Sequence, residues 1–151
     1  MKRKTKFLVV VAALVACAAE PVPIRYGTDV CHFCKMTIVD NQHAAELVTV
    51  KGKAFKYDAI ECMMNQLKNW EHSQVKYYLV ADYSNPGKLI AASEAYYAIT
   101  ESIPSPMGAF LTAFGEEAAR DQVINPSKGE RLEWLSLKLK FQVLSRADES
   151  E

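Results

Sequence analysis

The sequence predicts an α+β fold in which two pseudo-repeated β-β-α-β units pack as one compact domain. Three observations carry that expectation: two β-rich runs flank a short turn, a helix-spaced apolar set and a third β-rich run follow, and the same order of patterns returns in the second half. Half of the 151 residues are apolar, which permits an ordinary core and leaves too little chain for a second independent domain.

Each element has its own reason. "TIVDNQHAAELVTV" is rich in Thr, Ile and Val, and "KAFKYDA" follows a Lys-Gly-Lys turn, so a hairpin is expected over about 37–49 and 53–57. Ile60, Met63, Met64 and Leu67 stand at i, i+3, i+4 and i+7, the buried stripe of a helix. Asp58 is its expected N-cap, and it should run to about Trp70. "VKYYLVADY" closes the first unit as a strand. In the second half, "SEAYYAIT" and "GAFLTAF" are strands separated by Ile103-Pro104-Ser105-Pro106. "GEEAARDQVI" has the acidic first turn of a helix, and "ERLEWL" is the returning strand. In "SLKLKFQVLSR", Leu137, Leu139 and Phe141 alternate like a strand although the segment is amphipathic, so helix and strand both stay open.

The ends suggest a compartment. Lys2, Arg3, Lys4 and Lys6 precede the apolar run Phe7 to Ala16, an export signal too short to span a bilayer permanently. Leu14-Val15-Ala16-Cys17 resembles a lipobox, which would leave Cys17 as a lipidated first residue. The expected organisation is a signal at 1–16, a lipidated tether at 17–30 with two prolines, a metal-binding domain at 31–146 and a disordered tail at 147–151. Removing the signal turns 18 basic against 18 acidic residues into 14 against 18, a net charge of about −4. A mildly acidic surface argues against a nucleic-acid partner.

Cysteine parity is the next clue. With Cys17 lipidated, Cys31, Cys34 and Cys62 remain, an odd number for an exported chain, so at least one thiol is unpaired. An unpaired thiol in an oxidising compartment needs burial or a metal. In "CHFCKM", Cys34 and Met36 at a strand entrance would project from one face, and a thiolate beside a thioether favours Cu(I) over hard cations and over zinc. Cys31 can add a second thiolate or pair with Cys34 as a disulfide, and His32 and His43 are the nearest imidazoles. The same C-x-x-C spacing also serves an exported thiol-disulfide oxidoreductase, although such cysteines usually open a helix and here lead into β-branched sequence. Met63 and Met64 read as core, Cys62 as a small buried hydrophobe, and His43 as a solvated strand residue. His72, past the helix end, is placed to meet the last carbonyls, and Tyr77, Tyr78, Tyr96 and Tyr97 read as strand surface and core.

The lipobox, C-x-x-C-x-M, "KYDAIECMM" and "SEAYYAITESIPSPMGAFLTAF" together resemble NosL, the copper accessory lipoprotein of nitrous oxide reductase, over about residues 27–135. The resemblance implies a non-enzymatic Cu(I) metallochaperone, lipid-anchored on the periplasmic side of a membrane. Its implied partner is nitrous oxide reductase or the machinery that assembles its copper-sulfide centre. It also implies paired β-β-α-β units of treble-clef type, similar to the metal-binding part of organomercurial lyase. The family's cysteine and methionine ligands fall on Cys34 and Met36, and Pro106-Met107-Gly108 makes Met107 a further thioether candidate. Lys35 replaces the usual glycine between cysteine and methionine. Some relatives carry a histidine where this chain has Ala109-Phe110, so Cys31 or His32 is available in its place.

Overall fold

The computed structural model describes residues 19–142. The signal, Cys17 and the acidic tail lie outside the described residues.

Among the described residues, seven strands form two sheets. In the first unit β1 (Ala45–Thr49) and β2 (Ala54–Tyr57) make the hairpin, α1 (Ile60–Leu67) follows, and β3 (Val75–Ala81) returns beside β1. A short β4 (Leu89–Ala91) extends the sheet, giving the order β2-β1-β3-β4. The second unit repeats the plan with β5 (Tyr96–Ile99), β6 (Leu111–Phe114), α2 (Glu117–Ser127) and β7 (Glu130–Leu132), in the order β6-β5-β7. The first strand of each unit is central, and both of its neighbours run antiparallel to it. The helix α3 (Trp134–Lys140) ends the described chain. The fold is therefore α+β with two similar units.

The units share one core. Leu47, Tyr57, Ile60, Met63, Met64 and Leu67 belong to the same buried cluster as Tyr97, Leu111, Leu132 and Leu137. Met63 and Met64 are fully buried, as their helical spacing predicts.

Several boundaries differ from those expected, each for a physical reason. Residues 37–44 are not a strand: Ile38 is fully buried, but the Asp40 carboxylate accepts the Gln42 and His43 N–H groups and turns the chain. The helix α1 stops at Leu67 rather than Trp70, whose ring instead packs edge-on against Phe55 at 4.7 Å. Its N-cap is Ala59, in extended conformation with no side-chain cap, rather than Asp58. "ERLEWL" leaves the sheet after Leu132, because a helix starting at Trp134, with Glu133 at its N-cap position but no side-chain cap, packs the Trp134 ring against Tyr97 and Tyr78. The open segment after it is helical through Lys140, with Leu137 buried against the core and Leu139 exposed. His72 opens a short 3-10 turn, and its Nδ1 lies 3.2 Å from the Tyr78 hydroxyl.

Residues 19–30 lie across the outer face of the first sheet. Lys76 Nζ donates to the Ala19 carbonyl at 3.0 Å, Val22 N–H to Glu46 Oε1 at 2.7 Å, and Lys56 Nζ to the Pro23 carbonyl at 2.8 Å. Glu46 is fully buried beneath this strap, and burial raises its pKa against the lowering effect of the Val22 N–H.

His43, expected in solvent, is 3% exposed. Its Nδ1 meets Asp40 Oδ2 at 2.9 Å and its Nε2 meets Thr112 Oγ1 on β6 at 3.2 Å, so the ring joins the two units. Replacing it empties a polar site and strands the fully buried Thr112 hydroxyl. His43→Ala is therefore expected to lower the unfolding free energy by about 2–3 kcal/mol, measured by urea denaturation.

Candidate metal centre

The site begins as a tight hairpin. Val30 bridges Thr37, Cys31 N–H donates to the Met36 carbonyl at 2.8 Å, and Lys35 N–H donates to the Cys31 carbonyl at 3.1 Å. Cys34 and Met36 thus lie in a turn rather than on a strand face, and Lys35 between them has φ 66°. Only in that left-handed region can so short a knuckle reverse, and a side chain there is strained.

The knuckle is fixed to β2. His32 N–H donates to the Lys56 carbonyl at 2.8 Å, and Lys56 Nζ pairs with Asp29 Oδ2 at 2.6 Å. The His32 ring packs edge-on against Phe55 at 4.6 Å. Burial, then the charges of Lys35 and Lys53, lower its pKa, so the imidazole stays neutral near pH 7. Since β2 leads directly into α1, the same attachment brings the knuckle to the start of that helix.

Three sulfurs meet there. Among the described residues, the Sγ atoms of Cys31, Cys34 and Cys62 all lie within 4.8 Å of one another, and all three thiols are free. Three sulfurs at about 2.3 Å from one ion would stand roughly 4 Å apart, so small adjustments suffice to close on a metal. Cys31 and Cys62 are buried, whereas Cys34 is half-buried. Cys31 ionises most readily: the Cys62 thiol donates to it, and the N–H groups of Asp58 and Cys34 assist against the cost of burial. Cys62 is held protonated, first by its hydrogen bond to Cys31 and then by burial. Burial also raises Cys34, with the Met36 N–H acting in the opposite sense. Of the three, Cys31 is therefore the thiol that gives up its proton first, and its two neighbours resist following it.

The methionines stand at the surface. Met36 is 54% exposed and Met107 is 41% exposed. Met107 lies in the loop after β5, and Ser105 Oγ donates to Glu61 Oε1, tying that loop to α1 beside Cys62. Cys17 lies outside the described residues.

A family model described as NosL matches residues 21–140. The chain belongs to the NosL family. A crystal structure of the copper chaperone NosL from Shewanella denitrificans superposes with a TM-score of 0.62 at 21% identity, covering 84% of this chain and 99% of that one. At that identity the likeness concerns the fold. A search of curated proteins finds no match.

Within this NosL chain, Cys62 is the residue whose part in the site the sequence concealed. On α1, beside the stripe of Ile60, Met63, Met64 and Leu67, it reads as a small buried packing residue, and it is indeed fully buried. The odd cysteine count was the available signal, because it leaves one thiol without a covalent partner.

Two outcomes follow from the knuckle. Lys35→Gly relieves the left-handed strain and is expected to raise stability by about 0.5–1 kcal/mol in thermal or urea unfolding. Asp29 is held well below the usual carboxylate range by Lys56, then by the Arg25 N–H. A lowered native pKa contributes stability above about pH 4, the unfolded value, and loses it as the pH falls toward the native one. Asp29→Asn should therefore lower the urea midpoint at pH 7, and the difference from the parent should shrink steadily below pH 4.

Proposed function

We propose that this protein is a Cu(I) metallochaperone that supplies copper for the copper-sulfide centre of nitrous oxide reductase and is held to the periplasmic face of a membrane by lipid on Cys17. The observation that carries the copper reading is the convergence of Cys31, Cys34 and Cys62 in a NosL-family chain. Soft, polarisable sulfur donors with no carboxylate among them favour a soft monovalent ion. The relative from Shewanella denitrificans is named a copper chaperone, which supports the same reading. The knuckle, the hairpin β1–β2 and α1 with Cys62 in its first turn also suit a treble-clef arrangement of the first unit.

The chemistry is binding and release without turnover. The Cys31 thiolate provides the first anionic donor, and entry of Cu(I) displaces a proton from Cys34 or Cys62. Cys34 and the exposed Met36 and Met107 form the side through which a partner's ligands enter. Copper then leaves by ligand exchange, without passing through free solution. The signal at 1–16, the lipid on Cys17 and the partner assignment to nitrous oxide reductase or its assembly machinery follow from the family resemblance and the lipobox, while the expected tether is bonded to the first sheet from Ala19 onward.

Thiol-disulfide exchange has one observation in its favour, the ready ionisation of Cys31. That sulfur is fully buried, however, and the half-buried Cys34 is the one whose ionisation burial opposes. A disulfide substrate cannot reach the thiolate.

Competition with a Cu(I) chelator measures the site. One Cu(I) per chain is expected, with affinity falling more than roughly 100-fold in Cys34→Ser and in Cys62→Ser and roughly 10-fold in Met36→Ala. Unchanged affinity in Cys34→Ser and Met36→Ala would defeat the proposal, and copper transfer to apo-reductase distinguishes delivery from storage.

A further inference from the structure

The strap over the first sheet fixes where a lipid on Cys17 would meet the folded domain. Ala19 is buried, its carbonyl accepts Lys76 Nζ at 3.0 Å, and its Cα would lie 3.7 Å from a Cβ placed on Gly52. The chain is thus pinned where the β1–β2 turn meets the start of β3. Only Ala18 separates that point from Cys17, a reach of about 7 Å when extended. No long tether stands between the anchor and the fold.

The surface around the pinned point has the composition of a membrane interface. Val50 is 54% exposed and Tyr77 is 36% exposed, and Lys51, Lys53 and Lys76 stand beside them. Lys76 Nζ lies 4.9 Å from the centre of the Tyr77 ring. Glu20 and Glu71 share this end, and Glu71 is engaged by Ser73 and Gln74. We propose that this turn end, with Val50, Lys51, Lys53, Lys76 and Tyr77, lies flat against an anionic phospholipid surface. Amphipathic lysines and tyrosine bury their apolar stems at such an interface while the ammonium groups meet lipid phosphates.

The consequence for copper is geometric. The strand β2 carries the chain away from this end for about 13 Å before Tyr57 and the thiol cluster. Phe33 and Met36 of the knuckle are exposed and stay open to a partner, and Lys53, whose Nζ lies 4.6 Å from the Phe55 ring centre and whose charge reaches His32, marks the edge of the docked surface nearest the knuckle.

The inference rests on the lipid anchor proposed above, and the two can fail separately. The test uses the mature protein on vesicles of phosphatidylglycerol and on vesicles of phosphatidylcholine, with lysines footprinted by a water-soluble acylating reagent. On the anionic vesicles Lys51, Lys53 and Lys76 should react at least about fivefold more slowly than on the neutral ones, with Lys88, at the opposite end of the sheet, unchanged. The double variant Lys51→Glu, Lys53→Glu should lose the protection of Lys76. Equal rates on both vesicles, with diacylglycerol found on Cys17 by mass spectrometry, would overturn the docking surface and leave the anchor intact. An unmodified Cys17 would overturn the anchor reading and the inference with it.

Discussion

The clamp between the knuckle and β2 is the constraint on which the metal centre depends. A C-x-x-C turn has no intrinsic reason to find a cysteine on a helix further along the chain. It does so because His32 N–H and the Asp29 carboxylate hold the knuckle to the Lys56 backbone and ammonium, one residue before Tyr57. From there the chain turns into α1, so the Asp58 N–H and the Cys62 thiol both reach the Cys31 sulfur. The Asp29–Lys56 pair is nearly removed from water, with side-chain exposures of 10% and 15%, so screening weakens it less than a surface pair. Position along β2, rather than proximity in sequence, is what assembles the donors.

Charge then selects what the donors can hold. Three thiols confined within 4.8 Å cannot all ionise in a buried site, and hydrogen bonding concentrates the first charge on Cys31. A monovalent ion neutralises that charge with the least further deprotonation. The surroundings oppose additional negative charge: Tyr57 and Asp58, both buried, have raised pKa values, chiefly from burial and then from nearby thiolate. A divalent ion would have to draw more protons from Cys34 and Cys62, whose ionisation the same surroundings resist. This argument is independent of softness, and it points the same way.

Much of the fold was legible because its elements are short periodic or apolar runs separated by turns, although β1 and β6 are buried along their whole length. The i, i+3, i+4, i+7 stripe of α1 matches the buried positions found there, and β2 alternates with Phe55 and Tyr57 inward, whereas β3 is exposed at Lys76 and Tyr77 and buried at both Val80 and Ala81. The misplaced boundaries arose where polar groups override propensity. The Thr-Ile-Val run after Met36 is β-prone, yet Asp40 satisfies its own downstream N–H groups and diverts the chain into a turn. His43 could not be recognised as buried, because its partner Thr112 belongs to the other unit. The short β4, after Asn85-Pro86-Gly87, carries too few residues to show a period. In the site, Cys31 and Cys34 were legible from their spacing, whereas a lone buried cysteine in a helix looks the same whether it packs or binds.

Transfer requires that the tightest donors not be the most accessible ones. The sulfurs satisfy this by depth: Cys31 and Cys62 are fully buried, Cys34 is half-buried, and Met36 and Met107 are exposed. A partner thiolate approaching from solvent meets the half-buried Cys34 before it meets the fully buried Cys31. Each exchange then replaces one sulfur by another, so the ion never pays for full rehydration. Burial at the same time keeps the most nucleophilic sulfur away from oxidants, which must pass Cys34 to reach it. The shared core makes this ordering rigid, since α1, which carries Cys62, packs against residues of the second unit as well as the first. Loosening the contact between the units would therefore expose the inner thiols, and a stable join through His43 and the buried cluster is part of what makes a buried three-thiol site workable.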